Sequence, residues 1–369
     1  MVFLPKEDFN AQEKCRAIME YEVIKSGMNL FGWRQVPVNS SIIGEKANYT
    51  RPEIEQLIFS PKEKNSNIEK TLYLTRRRIE NKIKSLNINN FYICSLSSEV
   101  IVYKGMFLAE QLSSFYPDLL DSDFKSKFAI YHQRYSTNTF PTWSLAQPFR
   151  VLAHNGEINT LKGNVNWMKA HETRITDDFF GDRVEDLKPI LDSDSSDSAS
   201  LDAAFEILLQ TNRSLPMTKS MIIPEAWSNN NDMPDELKKM YAYCNAVIEP
   251  WDGPAAVCAN FGDWIVSGMD RNGLRPLRYI ITNDDLLISG SEVGMVIIDD
   301  RNILKKGRVG PGELIAINYR EKKFYQSDEL KKQLALQHPF SDWSKNTILL
   351  NEILNKENIV EPINQNIEN

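Results

Sequence analysis

The order in which hydrophobic periodicities follow one another restricts the fold of this chain more than any other feature. The first 155 residues mix two long helical patterns, and a third near 108–115, with short strand-like apolar runs. The long helical patterns carry Cys15, Ile18, Met19 and Val23, then Ile68, Leu72, Ile79 and Ile83; the apolar runs fall at 30–36, 57–59, 91–95, 100–103, 128–131 and 151–153. Residues 158–245 are helical in spacing, with Val165 and Met168 in a first helix, 201–209 in a second and 237–246 in a third. From Pro254 strand patterns return at 255–260, 264–268, 277–281, 286–289 and 313–318, with Gly262-Asp263 and Asn283-Asp284 as turns between them. Strands, then a block of helices, then strands again predict an α+β sandwich and not a regular βαβ repeat. Asn10 with Glu13 reads as a capping box for the first helix and Gly27 as its stop. The tail is polar, so the expected division is one domain over 1–330 followed by the start of a linker over 331–369.

Composition narrows the function classes. A chain of 369 residues that is 42% hydrophobic can bury a large core. Its net charge is -7 with both signs interspersed, and no basic cluster is interleaved with aromatics, so no nucleic-acid surface is expected. The densest basic run, Arg76-Arg77-Arg78, lies within a helical pattern and reads as a solvated face. No apolar stretch approaches the ~20 residues of a membrane span, so no membrane partner is expected. The first five residues lack the basic start and apolar core of a secretory signal. The four scattered cysteines, Cys15, Cys94, Cys244 and Cys258, read as reduced thiols of a cytoplasmic protein.

Several chemistries are absent from the sequence. It has no G-x-x-x-x-G-K-[ST] and no G-x-G-x-x-G, no H-E-x-x-H and no C-x-x-C. Residues 192–197 imitate the start of a calcium loop, but Asp197 stands where the loop needs glycine.

Three segments remain: His132-Gln133-Arg134-Tyr135-Ser136-Thr137-Asn138, His154-Asn155-Gly156-Glu157-Ile158-Asn159, and Ser196-Asp197-Ser198 at the head of a helix. An arginine at a strand end grips a carboxylate through paired hydrogen bonds. The Asn155 carboxamide and an unobstructed Gly156 N–H suit an oxyanion hole. Asp197 suits an ammonium group. Taken singly, each segment reads equally well as structure: a surface salt bridge for Arg134, a turn for Asn155-Gly156, a helix cap for Asp197. Together, one fixed cation, one fixed anion and an oxyanion hole suit an amino acid whose side-chain carbonyl is attacked.

In this order the segments resemble the class II glutamine amidotransferases, an N-terminal-nucleophile family. The variants H-Q-R-Y-S-T-N-T-F-P-T-W and H-N-G-E-I-N-T-L-K-G-N are similar to those of the amidotransferase domain of glutamate synthases, as are 251–255 and 269–276. The resemblance implies a four-layer αββα sandwich lacking its N-terminal strand segment, with L-glutamine as substrate. It assigns Arg134 to the α-carboxylate, Asp197 to the α-ammonium, and Asn155 and Gly156 to the oxyanion; Gly273 and Arg275 belong to a further motif with an expected structural role. It also implies a nucleophilic N-terminal cysteine upstream of the residues matching 1–5. The partners it implies are synthase domains of the same polypeptide, which bind FMN and an iron–sulfur cluster, and a reductase small subunit. No cofactor is expected in this chain itself. Without the cysteine the chain is expected to lack useful glutaminase activity, since removing a nucleophile typically costs about 10⁶-fold in kcat. Two other readings fit the residues: a glutamine-binding pseudoenzyme, and another class II amidotransferase.

Overall fold

A computed structural model describes residues 1–348 apart from 65–66, 136–138, 177–178, 193–194, 293 and 346. A first antiparallel sheet is built from β1 (Val2–Leu4), β2 (Met28–Gln35), β3 (Glu53–Pro61) and β4 (Tyr92–Ile93), in the order β2-β3-β1-β4. Helix α1 (Phe9–Lys25) precedes β2, a short α2 (Glu45–Tyr49) precedes β3, and α3 (Ile68–Ser85) follows it. Alternate residues of a strand face opposite sides of the sheet. Val2, Leu4 and Leu57 therefore meet Cys15, Met19 and Val23 of α1 and Leu72, Ile79 and Ile83 of α3. On the other face Phe3 and Ile54 pack against Val102, Trp143 and Phe115, the last from α4 (Leu112–Phe115).

The second sheet has five strands in the order β12-β11-β7-β6-β5. They are β5 (Leu152–Gly156), β6 (Ala255–Phe261), β7 (Trp264–Met269), β11 (Leu314–Asn318) and β12 (Lys323–Tyr325). A three-stranded sheet, β10-β8-β9, comprises β8 (Arg278–Thr282), β9 (Leu287–Gly290) and β10 (Ile303–Arg308). The helical block gives α5 (Leu161–Glu172), α6 (Asp197–Leu209), α7 (Leu215–Ile222) and α8 (Asp235–Val247); α9 (Ser327–Leu336) and α10 (Phe340–Ser344) follow β12. Ala255, Val257, Ala259, Val266 and Leu314 of the five-stranded sheet form the largest core with Leu201, Phe205, Met221, Met240 and Leu334 from the helices. Its opposite face, through Ala256, Met269 and Ile315, packs on Leu277 and Tyr279 of the small sheet and its approach. Helices, sheet and second sheet are thus layered around the second core, and the α+β class expected from the sequence is the class observed. Leu334, Ala335 and Phe340 join this core, so the chain remains packed past residue 330.

Local readings depart from the sequence in instructive ways. The first helix is capped by Asp8, whose side chain accepts from Ala11 N–H at 2.9 Å, and not by Asn10. Helix α7 went unread because Pro216 interrupts the pattern; Ser214 caps it and accepts from Met217 N–H, which makes the proline a first-turn residue. Strand β10 was missed because Lys305, Lys306 and Arg308 mask its period at the edge of the small sheet. Residues 100–103 and 128–131 are not strands: their backbones find no ladder partner among the described residues, and no residue of the second stretch is buried.

The basic run is also corrected. Arg76 and Arg77 are 3% and 8% exposed, so they do not form a solvated face. Arg76 pairs with Glu80 at 2.9 Å and with Glu206 of α6 at 2.7 Å. Arg77 and Arg150 each reach Glu80 at 2.9 Å. Arg78 pairs with Glu22 of α1 at 2.9 Å and with Asp186 at 3.0 Å. The run faces inward because α3 has a neighbour on three sides: α1, α6 and the 181–187 turn.

Candidate functional site

The site forms where β5 ends and α6 begins. Strand β5 is the edge of the five-stranded sheet and among the described residues pairs only with β6, with His154 opposite Val257 and Gly156 opposite Ala255. Asn260 N–H donates to Val151 O and Glu157 N–H to Pro254 O, both at 2.9 Å. The alternation of an antiparallel ladder then turns the N–H groups of residues 152, 154 and 156 toward the free edge. Leu152 N–H donates to Asp202 Oδ1 at 3.0 Å, and His154 N–H to Gln147 Oε1 at 2.7 Å. The Gln147 amide returns a hydrogen bond to His154 O at 3.0 Å, so a single side chain imitates a neighbouring strand. Gly156 N–H faces the same edge and has no acceptor among the described residues. Beside it the half-buried Asn155 carboxamide also has no partner among the described residues. Two polar donors therefore converge at the strand end, unspent by the fold.

Gly156 is required there. A Cβ on it would overlap Pro254 O and lie 2.8 Å from His154 Nε2. Across the contact Gly253, at φ +152°, has its own Cβ position overlapped by Glu157 O. Asn159 N–H donates to Asp252 O at 2.8 Å, so two backbone segments lie against each other from 156 to 159.

Asp197 opens α6, with Ser196 as N-cap accepting from Ala199 N–H at 3.1 Å. The sequence offered capping and ligand binding as alternatives for Asp197; the cap is its neighbour. The Asp197 carboxylate is fully buried and accepts from Ile158 N–H at 3.0 Å and Ser198 N–H at 2.8 Å. Ser198 Oγ lies 2.8 Å from His154 Nδ1. Burial pushes the His154 imidazolium down to about 4, although Asp197 nearby favours the charged form, so the ring is neutral at physiological pH. His132 and Arg275 also act on His154 electrostatically, which brings the segments containing residues 132, 154, 197 and 275 into one neighbourhood.

Asn155, Gly156 and Asp197 are thus brought together by contacts. Arg134 is exposed on an irregular segment; its N–H donates to His132 Nδ1 at 3.1 Å, and no contact among the described residues ties its guanidinium to the other three. Ser136, Thr137 and Asn138 of its motif lie outside the described residues. The 269–276 motif forms a turn. Asp270 accepts from Ala255, Asn272 and Gly273 N–H at 2.8, 2.8 and 3.0 Å, and Gly273 takes φ +62°. Sequence reasoning passed over Gln147 and Asp202 and gave Ser198, within its segment, no role of its own. The clue to Asp202 was a carboxylate among Leu201, Ala203, Ala204 and Phe205, where a solvated side chain has no place.

Burial disfavours the thiolate form of all four cysteines. Burial pushes the thiols of Cys15 and Cys244 up to about 11 and about 12, and raises those of Cys94 and Cys258. The described residues contain no group of three His, Cys, Asp or Glu able to hold a metal ion, so they do not fit an iron–sulfur cluster. No described helix is long and apolar enough to cross a membrane.

The family model for class-II glutamine amidotransferases matches residues 1–343. The chain belongs to that family. Among curated relatives of this amidotransferase, the glutamate synthase (NADPH) large chain of Azospirillum brasilense is 57% identical over 96% of this chain and 23% of that one. Ferredoxin-dependent glutamate synthase 2 of Synechocystis sp. is 42% identical over 94% of this chain and 22% of that one. The amidotransferase chain therefore spans less than a quarter of the length of these relatives. A solved glutamine phosphoribosylpyrophosphate amidotransferase from B. subtilis is 19% identical over 47% of this chain and 28% of that one; its TM-score of 0.24 is too low to bear on the fold.

Proposed function

We propose that this chain is the glutamine-binding and ammonia-releasing part of a cytoplasmic glutamate synthase. The observation that carries the reading is the unpartnered Gly156 N–H at a sheet edge beside the unpartnered Asn155 carboxamide. Donors left unpaired by the fold, beside edge groups of residues 152 and 154 that are satisfied, suit an oxyanion that exists only during reaction. In this reading Arg134 holds the α-carboxylate of L-glutamine and Asp197 supplies the negative charge for its α-ammonium. A thiolate attacks the side-chain amide carbonyl, ammonia leaves, and water hydrolyses the resulting thioester to glutamate. The thiolate belongs to none of the four cysteines of this chain, whose burial disfavours the charged form. The ammonia passes to 2-oxoglutarate in synthase domains of the same polypeptide. Those domains, which carry FMN and an iron–sulfur cluster, and a reductase subunit are the partners of this reading. The domain division proposed is an amidotransferase unit over 1–330 and the start of an approach to the synthase domains over 331–369, the first part of which, through Leu334, Ala335 and Phe340, packs on the core of that unit.

Calorimetry on the purified chain tests the reading. L-glutamine is expected to bind without release of ammonia. A charge-assisted hydrogen bond contributes roughly 1.5–3 kcal/mol, so Arg134→Ala is expected to weaken binding by about 10- to 150-fold. No heat of binding, or an unchanged affinity in Arg134→Ala, would sink the glutamine site. Ammonia released by the pure chain would overturn the assignment of the thiolate.

A further inference from the structure

Helix α6 grips strand β5 at three points. At the start of the strand the Asp202 carboxylate, 1% exposed, accepts from Arg150 N–H at 3.2 Å, Val151 N–H at 2.9 Å and Leu152 N–H at 3.0 Å. In the middle Ser198 Oγ meets His154 Nδ1 at 2.8 Å. Just past the end Asp197 accepts from Ile158 N–H at 3.0 Å. Asn155 and Gly156 lie between the last two points, so their position relative to Asp197 depends on how the strand is seated along the helix. The β6 ladder does not settle that seating, because it fixes β5 against a sheet and not against α6.

We propose that Asp202 is a positioning residue of the glutamine site: by holding the start of β5 on α6 it sets the separation between the Asn155–Gly156 donors and Asp197. The carboxylate is suited to this role. A single rigid group accepting three successive N–H groups fixes both the position and the direction of the strand's first residues. A neutral carboxamide presents N–H donors to at least one of them. The proposal deepens the glutamine reading and rests on it for its functional half, whereas its structural half is read without ligand.

The test uses the full chain and its Asp202→Asn variant. Hydrogen exchange of backbone amides is measured first, without ligand. If Asp202 seats the whole strand, exchange accelerates about ten-fold or more at 154–158 as well as at 150–152, while α1 and the first sheet keep their rates. Acceleration confined to 150–152 overturns the proposal. Calorimetry with L-glutamine follows. Asp202→Asn is expected to weaken binding about ten-fold, and the double variant with Asn155→Ala is expected to lose no more than the weaker-binding single variant, because both act through one group of donors. Full additivity overturns the proposal, since a residue that only supports the fold gives it. Failure of the wild-type chain to bind glutamine defeats the functional reading and, with it, the functional half of the proposal; the exchange result still decides the seating. If Asp202→Asn yields no cooperative melting transition, Asp202→Ser replaces it in both measurements.

Discussion

Gly156→Ala is expected to abolish glutamine binding and to lower stability by about 1–3 kcal/mol, the usual cost of forcing atoms into a packed site, or by somewhat more. The added methyl meets a backbone oxygen, Pro254 O, and not the flexible end of a side chain. That oxygen cannot retreat without giving up the hydrogen bond from Glu157 N–H at 2.9 Å. The segment carrying it is held in turn by Ala255 N–H on Asp270 Oδ2 at 2.8 Å. Relief must come from β5 moving off β6, which carries Asn155 and the Gly156 N–H away from Asp197. Urea unfolding and calorimetry on the same preparation check both halves. A variant that keeps the wild-type midpoint and affinity would show that the close approach at 156 is not required.

The second large effect is expected at Glu80. Its carboxylate joins Arg76, Arg77 and Arg150, each at 2.9 Å. Removing it leaves three guanidinium groups, Arg76 fully enclosed, with Glu206 as the nearest remaining anion. Deleting one partner of a buried ion pair typically costs about 3–5 kcal/mol, because the survivors remain desolvated and uncompensated. Glu80→Ala is therefore expected to lower stability by about that amount at pH 7, in urea unfolding. The pH dependence gives an independent check. Burial alone would raise the Glu80 carboxyl, but Arg76, Arg150 and Arg77 outweigh it and hold the group at about 2, against an ordinary 4.5. A carboxyl depressed by folding stabilises fully above its unfolded value, and that contribution is lost as the pH falls toward the folded one. The wild type is thus expected to lose stability between about pH 4.5 and 2, and Glu80→Gln to lose less over the same interval. Parallel pH profiles for the two proteins would refute the assignment.

How legible these features were in the sequence depended on whether their causes were local. Five of the seven strands described after Pro254 carry their apolar runs in their own residues and were read within a residue or two; Gly262 at the β6–β7 turn takes φ +55°, as its turn role requires. Asn155, Gly156 and Asp197 were picked out as chemistry, and the fold brings them together through Ile158 N–H and the His154–Ser198 contact. What escaped depends on partners distant in sequence. The inward turn of Arg76 needs Glu206, 130 residues away, and nothing in the local pattern of α3 announces it. The role of Gln147 depends on β5 being an edge, which is a property of sheet order and not of the strand itself. The stretch 128–131 has strand composition, yet composition supplies no hydrogen-bond partner.

The carboxamide of Gln147 on His154 has a consequence for the molecule among its neighbours. A bare sheet edge is an invitation to any extended chain, and proteins usually answer it with charge, proline or a covering segment. Here one glutamine occupies both hydrogen-bonding groups of the residue in the middle of the strand, so a foreign backbone arriving along β5 would have to evict it before it could register. What remains open among the described residues is the N–H and C=O of Gly156, one residue's worth of edge, too little to template a strand, and its N–H is enough to recognise one oxygen atom. Protection from unwanted association and selectivity for a small ligand are in this way two results of the same stopper.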